Sequence, residues 1–363
     1  MKPAGTYGPM DRALHRLAFS ALDAQIAVAG IETSLYSDTL SRHPIRNPVF
    51  ITSLPRAGTT LLLQLLSPLP EFATHTYRVM PFVLCPMMWD RLSRPFRRRH
   101  EATERAHGDG LSIGFDSPEA FEEVLWLRFW KSHYHPDHID PWDSTDIDEE
   151  FETFLRDHMR KIVSLGDDKD ARGEGSMPRY LSKNNANIAR LDLLCDMFPD
   201  ARIVVPIRNP WDHALSMHNQ HRRFARLHAE DGFALRYMEW LGHFEFGAAH
   251  RPIDISNWRG TDLLFSPDDR GYWLAYWREC YAPVLDTPRE QIVLVDYDRL
   301  CRAPSESLQR LVDTLNIRAA DTLLAGAKQI HPPTRYGGLP TDEERPPLLR
   351  CDAIAAALKA RAI

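Results

Sequence analysis

The chain has 363 residues, of which 44% are hydrophobic and 26% charged, enough to bury one large core. A formal net charge of -6 speaks against a general nucleic-acid binder. Five widely spaced cysteines with no C-x-x-C pair speak against a disulfide framework or a cysteine zinc site, and fit a reducing compartment. The apolar runs are broken at Gln64, Pro68, Pro81 and Pro86, so no transmembrane segment is expected.

Residues 11 to 40 read as one or two helices in front of the first strand, with Leu14, Leu17, Ala18 and Leu22 on one face. His15, Arg16, Asp23 and Gln25 interrupt the apolar residues there, which excludes a signal-peptide pattern. The stretch from Val49 to Pro68 reads as strand, tight loop and helix. Val49, Phe50 and Ile51 lead into a turn with Pro55 and Gly58, and Leu61, Leu62, Leu65 and Leu66 follow at helical spacing. Such a unit aims the amides of Ala57, Gly58, Thr59 and Thr60 at one point beyond the strand, where the helix dipole favours a phosphate. Phe72 to Tyr77 is a short alternating run predicting a second strand, with His75 near its end.

Further on, Arg91 to His100 concentrates positive charge, either as a solvated face or as an anion patch. His107-Gly-Asp-Gly110 suggests a mobile loop or lid. Ser117-Pro-Glu119 predicts a helix start, with Phe121, Val124, Leu125 and Trp126 turned inward. His133, His135, Asp137 and His138 mimic metal ligands, but nothing adjacent completes a tetrahedron and no metal is expected. Arg179 to Lys183 is a short strand ending on a lysine, followed by a helix with Ile188, Leu191, Leu194, Cys195 and Phe198 on its apolar side. Ala201 to Ile207 is a strand apolar enough to be buried on both faces. It stops at Arg208-Asn209-Pro210, where Asn209 caps a helix that contains Ser216. Between 225 and 290 the many aromatics fit core helices, while Trp258 offers a stacking surface for a sugar or aromatic acceptor. These elements predict an α/β fold, a P-loop-like parallel sheet flanked by helices with helical insertions in a single domain. The predicted strands end at Arg56, His75, Lys183 and Arg208. In an open parallel sheet the ligand crevice lies outside the carboxyl ends of the strands, so these residues share one cleft, and three fixed cations there imply a polyanionic ligand.

Pro55-Arg-Ala-Gly-Thr-Thr60 resembles the 5'-phosphosulfate loop of PAPS-dependent sulfotransferases, [KR]-[SA]-G-[ST]-T. Arg208 and Ser216, eight positions apart, resemble the 3'-phosphate motif of that family, including its R-[ND]-P opening. Leu181-Ser-Lys183 is similar to the strand-end lysine of the bacterial and tyrosylprotein branch. Gln291 to Leu300, with Pro304 and Leu308, resembles the family's later strand and helix, with Asp298 where Glu is usual. The loop His331 to Gly338 resembles the late loop that closes over the 3'-phosphate, with Arg335 as its cation, although the usual R-K-G spelling is absent.

The resemblance divides the chain into an N-terminal helical segment (1 to 47), a sulfotransferase domain (48 to 340) and a C-terminal helical tail (341 to 363). It implies PAPS as donor and no metal. Arg56 and Lys183 act at the leaving oxygen, the amides of Ala57, Gly58, Thr59 and Thr60 hold the 5'-phosphate, and Arg208, Ser216 and Arg335 hold the 3'-phosphate. Arginine at 56 stabilises charge without giving up its proton, so Lys183 is the group able to deliver one. His75 is the first choice of general base, with Glu119, Glu122 and Glu123 as alternatives. The expected acceptor is a saccharide or glycolipid hydroxyl, with a small phenol or lipid alcohol as the alternative. The family's anchored Golgi members differ in their N-terminus, which points this chain to the cytoplasm; a homodimer stays open. Two other classes remain. A P-loop kinase needs Gly at Ser53 and Lys at Thr59, which this loop lacks, and a non-catalytic nucleotide-binding protein would keep the fold without turnover.

Overall fold

The computed structural model describes residues 8–94, 103–104, 112–113, 117–167, 177–260, 266–286, 288–332 and 335–363. Seven strands are described: β1 (Val49–Ile51), β2 (Phe72–Thr74), β3 (Thr103–Glu104), β4 (Ser112–Ile113), β5 (Arg179–Lys183), β6 (Arg202–Ile207) and β7 (Ile292–Asp296). Five form one sheet in the order β2-β5-β1-β6-β7, every neighbour parallel, and β3 and β4 form a small separate ribbon. The β-branched runs that predict strands also bury both faces of the sheet. Phe50, Tyr180, Ile203 and Val205 turn to one side, into the core lined by the helices Glu149–Leu165, Pro210–Glu230 and Arg270–Asp286. Val49, Ile51, Leu181 and Val204 turn to the other, under the helices Thr59–Leu66 and Pro304–Leu315.

The chain leaves β1 onto one face and β6 onto the other. The two strands are neighbours, with Ile51 beside Val204, so the topological switch point lies between their carboxyl ends. Ile51 is also in register with Lys183 of β5. One crevice therefore receives the segments after β5, β1 and β6.

Local chemistry fixes the element ends. The Asn209 side chain accepts from the Asp212 amide at 3.0 Å, with Pro210 as the first helical residue. Asp296 at the end of β7 accepts from the amides of Asp298 and Arg299. The Arg345–Ala360 helix packs on Arg270–Asp286, Arg299 donates to the carbonyls of Ala362 and Ile363, and the Ile363 amide donates to the Leu294 carbonyl of β7 at 3.0 Å, tying the C-terminus to the sheet.

Two local expectations change. The Pro9–Ser20 helix buries His15, Ala18 and Phe19 while Leu17 faces outward, because Phe19 stacks on Trp240 at 5.4 Å and sets the rotation. Ser117 does not start a helix. Pro118 bridges Thr76 and the Glu119 amide donates to the His75 carbonyl at 3.0 Å, so the chain stays extended and the helix begins at Glu123. Phe121, Val124, Leu125 and Trp126 are buried as expected. Most of the basic run after Arg94 and the stretch His107 to Gly110 lie outside the described residues.

Candidate active site

Two left-handed residues shape the loop after β1. Arg56 has φ 74° and Gly58 has φ 104°, which reverses the chain and starts the Thr59–Leu66 helix. At 58 only glycine fits, since a Cβ would lie 2.5 Å from Cε2 of Tyr297. Arginine at 56 costs roughly 1–2 kcal/mol in that conformation, strain concentrated where the loop must be shaped. No side chain caps the helix, so its first amides remain donors at the positive end of the dipole, the arrangement that holds a phosphate. Ala57 and Thr59 are buried beneath this turn and Thr60 is half-buried.

Cations flank the loop on both sides. Lys183 ends β5 and is 6% exposed. Arg208 follows β6; its Nη1 donates to the Arg56 carbonyl at 3.0 Å, and its guanidinium lies 5.6 Å from the centre of the Tyr297 ring. Arg56 Nε donates to Ser216 Oγ at 3.4 Å, and Ser216 Oγ lies 3.3 Å from the hydroxyl of Tyr336. Arg56, Arg208 and Ser216 are thus brought together. Arg335, beside Tyr336, is exposed.

Groups behind the loop and behind the turn after β6 pin both in place. His213 Nε2 lies 2.8 Å from the Pro55 carbonyl and Nδ1 lies 3.2 Å from Nε1 of Trp277. An indole N–H only donates, so Nδ1 accepts and Nε2 carries the proton to Pro55. Burial, with the charges of Arg208 and Arg56 in support, pushes His213 down to about 3, which keeps that tautomer neutral. Ser53 Oγ donates to the Pro206 carbonyl at 2.9 Å. Asp298 accepts from the Asn209 amide at 2.9 Å and pairs with Lys359, which fixes the turn that carries Arg208.

The proposed bases take other places. The His75 ring turns into the core, with Nε2 2.8 Å from Nε2 of His158 and its face 5.1 Å from that ring. Burial lowers His75 to about 4 and His158 well below its ordinary value, so the pair is neutral, one ring donating and the other accepting. Glu122 accepts from Tyr180 and Asn187, both at 2.9 Å. Glu123 accepts from Nη2 of Arg190 at 2.8 and 2.9 Å, from Asn184 at 2.7 Å and from the Tyr134 hydroxyl. Arg190 itself lies 4.1 Å from the ring centres of both Trp126 and Trp142. Glu119 accepts from Tyr77 at 2.8 Å. Trp258 is 4% exposed, stacks on Tyr276 and donates to the Ile253 carbonyl at 3.0 Å, so it offers no platform to an acceptor.

A cavity opens beside the loop between Pro55, Asn184 and Asn185 on one side and His243, Glu245 and Tyr276 on the other. Asn185 spans it at the loop end: its Nδ2 donates to Glu245 Oε1 at 3.0 Å, and its Oδ1 accepts from the Thr59 hydroxyl at 3.1 Å. At the surface His135, His138 and Asp140 bring their ligand atoms within 4.8 Å of one another. The neighbouring His133 turns instead to Asp146 and stacks on Trp142, and Asp137 pairs with Arg259.

Sequence reasoning missed Tyr297, Tyr336, Asn185 and Glu245. Tyr297 is the tyrosine of the motif after β7, and Asn185 sits two residues past a strand-end lysine, so each carried a positional signal. Glu245 carried none.

No helix among the described residues is long and apolar enough to cross a membrane. A sequence model described as the sulfotransferase family matches residues 48–321. An uncharacterized protein of Aquifex aeolicus (strain VF5) is 23% identical over 290 residues, covering 80% of this chain but 28% of that protein, so the chain spans under a third of that relative's length. Among solved structures, sulfotransferase STF9 of Mycobacterium avium has a TM-score of 0.47 at 14% identity, over 99% of this chain and 86% of that one. A sulfotransferase of Alicyclobacillus acidocaldarius has a TM-score of 0.42 at 16% identity, over 87% and 95%. On the family match across residues 48–321, the chain belongs to the sulfotransferase family.

Proposed function

We propose that the protein moves a sulfuryl group from PAPS to an acceptor hydroxyl. The observation that carries this reading is the set of three cations, Arg56, Lys183 and Arg208, around an uncapped helix start at the ends of three adjacent parallel strands. The residues fit the donor: Gly58 leaves room for Tyr297 and turns the chain into the helix, and the amides of 57 to 60 suit the 5'-phosphate. Arg208 and Ser216 suit the 3'-phosphate, with Tyr336 approaching from the late loop. PAPS, when bound, supplies the activated sulfuryl group. Transfer of this kind is close to phosphoryl transfer, so the protein's work is positioning and stabilising charge on the leaving phosphate oxygen. Arg56 and Lys183 do that without calling on a metal.

The acceptor reading moves. A saccharide leaned on Trp258 as an exposed indole, and Trp258 is buried. The cavity, of about 30 Å³, mixes Leu54, Ile139, Phe244 and Tyr276 with carboxylates and amides, a lining that favours the hydroxyl end of an alcohol or phenol with an apolar framework over a sugar. PAPS labelled in the sulfuryl group, screened against sugars, phenols, sterols and aliphatic alcohols, tests this: label on phenols or aliphatic alcohols is expected. Label on sugars alone would restore the saccharide reading, and no label on any acceptor, with PAP still bound, would favour a non-catalytic nucleotide-binding protein.

A further inference from the structure

The Gly232–Leu241 helix ends at Gly242, whose φ of 71° turns the chain tightly over Glu123; a Cβ at 242 would lie 2.5 Å from Glu123 Cγ. That turn sends His243, Phe244 and Glu245 into the cavity beside the phosphosulfate-type loop. The Glu245 side chain remains 24% exposed there, whereas Glu122 and Glu123, the carboxylates nearest in type, are buried. One of its oxygens, Oε1, is held by Asn185 Nδ2 at 3.0 Å. The same amide accepts from the hydroxyl of Thr59, the first residue of the helix after the loop. The chain Thr59, Asn185, Glu245 therefore bolts one carboxylate oxygen to the loop that positions the donor. The other oxygen, Oε2, lies 3.8 Å from His243 Nδ1, beyond hydrogen-bond length. His243 is oriented in turn by its Nε2, which donates to the Ala120 carbonyl at 3.1 Å and so leaves Nδ1 as the basic nitrogen on the Glu245 side.

We infer that Glu245 is the general base that takes the proton of the acceptor hydroxyl, with Asn185 and His243 as its positioning residues; this rests on the sulfotransferase reading above. In the step, the acceptor O–H bond breaks and its proton passes to Glu245 Oε2. The acceptor oxygen forms a bond to sulfur. The bond from sulfur to the bridging oxygen breaks, and its electron pair stays on the leaving phosphate, where Arg56 and Lys183 face the charge. Glu245, which is partly exposed, then releases the proton to water, which resets the carboxylate. A base of this kind contributes about 100- to 10,000-fold. Its place also explains why the carboxylate is tied to Thr59: a base on an insertion has to keep its distance from a donor held by another element, and one amide spans the two.

The test uses the full chain, sulfuryl-labelled PAPS with the best acceptor from the panel and with water as acceptor, and PAP binding by calorimetry. Glu245→Gln keeps the size of the side chain and the acceptor for Asn185. Turnover is expected to fall about 100-fold or more with an aliphatic alcohol or with water as acceptor while the Kd for PAP stays within about twofold. Glu245→Asp is expected to recover part of the rate, and a nitrophenol, already ionised at pH 8, is expected to lose far less rate in Glu245→Gln than an aliphatic alcohol does. A merely structural carboxylate would slow both acceptors alike. Turnover of Glu245→Gln on the aliphatic alcohol within about threefold of wild type, or an equal loss on the nitrophenol and the aliphatic alcohol, would overturn the assignment of Glu245 and leave the sulfotransferase reading standing. Failure of the wild-type protein to bind PAP would instead overturn that reading itself.

Discussion

On the side of the cleft formed by the ends of β1 and β6, charge is anchored to main chain. Arg208 donates to the Arg56 carbonyl, Asp298 holds the Asn209 amide, and neutral His213 holds Pro55. On the side formed by residues 117 to 190, charge is anchored to charge: Glu123 meets Arg190, and Arg190 is closed between two indoles. The difference bears on which groups the proposed donor site can use. A cation held through its backbone neighbours still has its field to offer a ligand, while a carboxylate that accepts from Arg190, Asn184 and Tyr134 has spent its acceptors on the fold. Glu122 and Glu123 on the second side spend those bonds on Tyr180, Asn187, Arg190, Asn184 and Tyr134.

Breaking the framework side has the largest expected effect. Arg190→Ala leaves Glu123 buried and unpaired, and is expected to cost roughly 3–5 kcal/mol of stability, read by chemical denaturation. A loss of turnover in Glu123→Gln without any loss of stability would instead make Glu123 part of the chemistry. The buried histidines set the next effect. His75 is lowered to about 4 and His213 to about 3, so the unfolded chain binds protons that the folded one does not. Their contribution is present above about pH 6.5 and is lost as the pH falls toward 4. Acid denaturation of His75→Gln is expected to show a shallower slope over that window. The cationic side gives the smaller, sharper effects. Arg208→Ala is expected to weaken PAP about 10- to 100-fold and Ser216→Ala about 3- to 10-fold, in line with charged and neutral hydrogen bonds respectively. Both leave the melting temperature nearly unchanged. An unaltered PAP affinity in Arg208→Ala would remove the 3'-phosphate assignment.

The two sides also differ in how far they could be read in advance. β1, β5, β6 and β7 are apolar runs ended by a cation or an acid, and a parallel sheet places whatever follows its strands at one edge, so Arg56, Lys183 and Arg208 were legible from local sequence. Even the αL position of Gly58 follows from the tight turn. The opposite side depends on pairs far apart in the chain, such as Asn185 with Glu245 and Glu123 with Arg190. No periodicity encodes them. His75 shows the limit: its position just past a strand was right, but β2 is an edge strand followed by irregular backbone, and the ring turned to His158 in the core. Trp258 misled in the opposite way, because a tryptophan in a polar loop gives no sign that Tyr272 and Tyr276 cover it.

The most direct test of the donor assignment compares ligands for the cationic side. Thermal unfolding is followed with PAP in the presence of a chelator, with ATP alone, and with ATP plus magnesium. A donor site built from Arg56, Arg208 and Ser216 raises the melting temperature most with PAP, without metal, and the shift shrinks as salt rises because fixed charges dominate the binding. A larger shift with ATP and magnesium than with PAP would contradict the account and identify the loop after β1 as that of a nucleotide triphosphate enzyme.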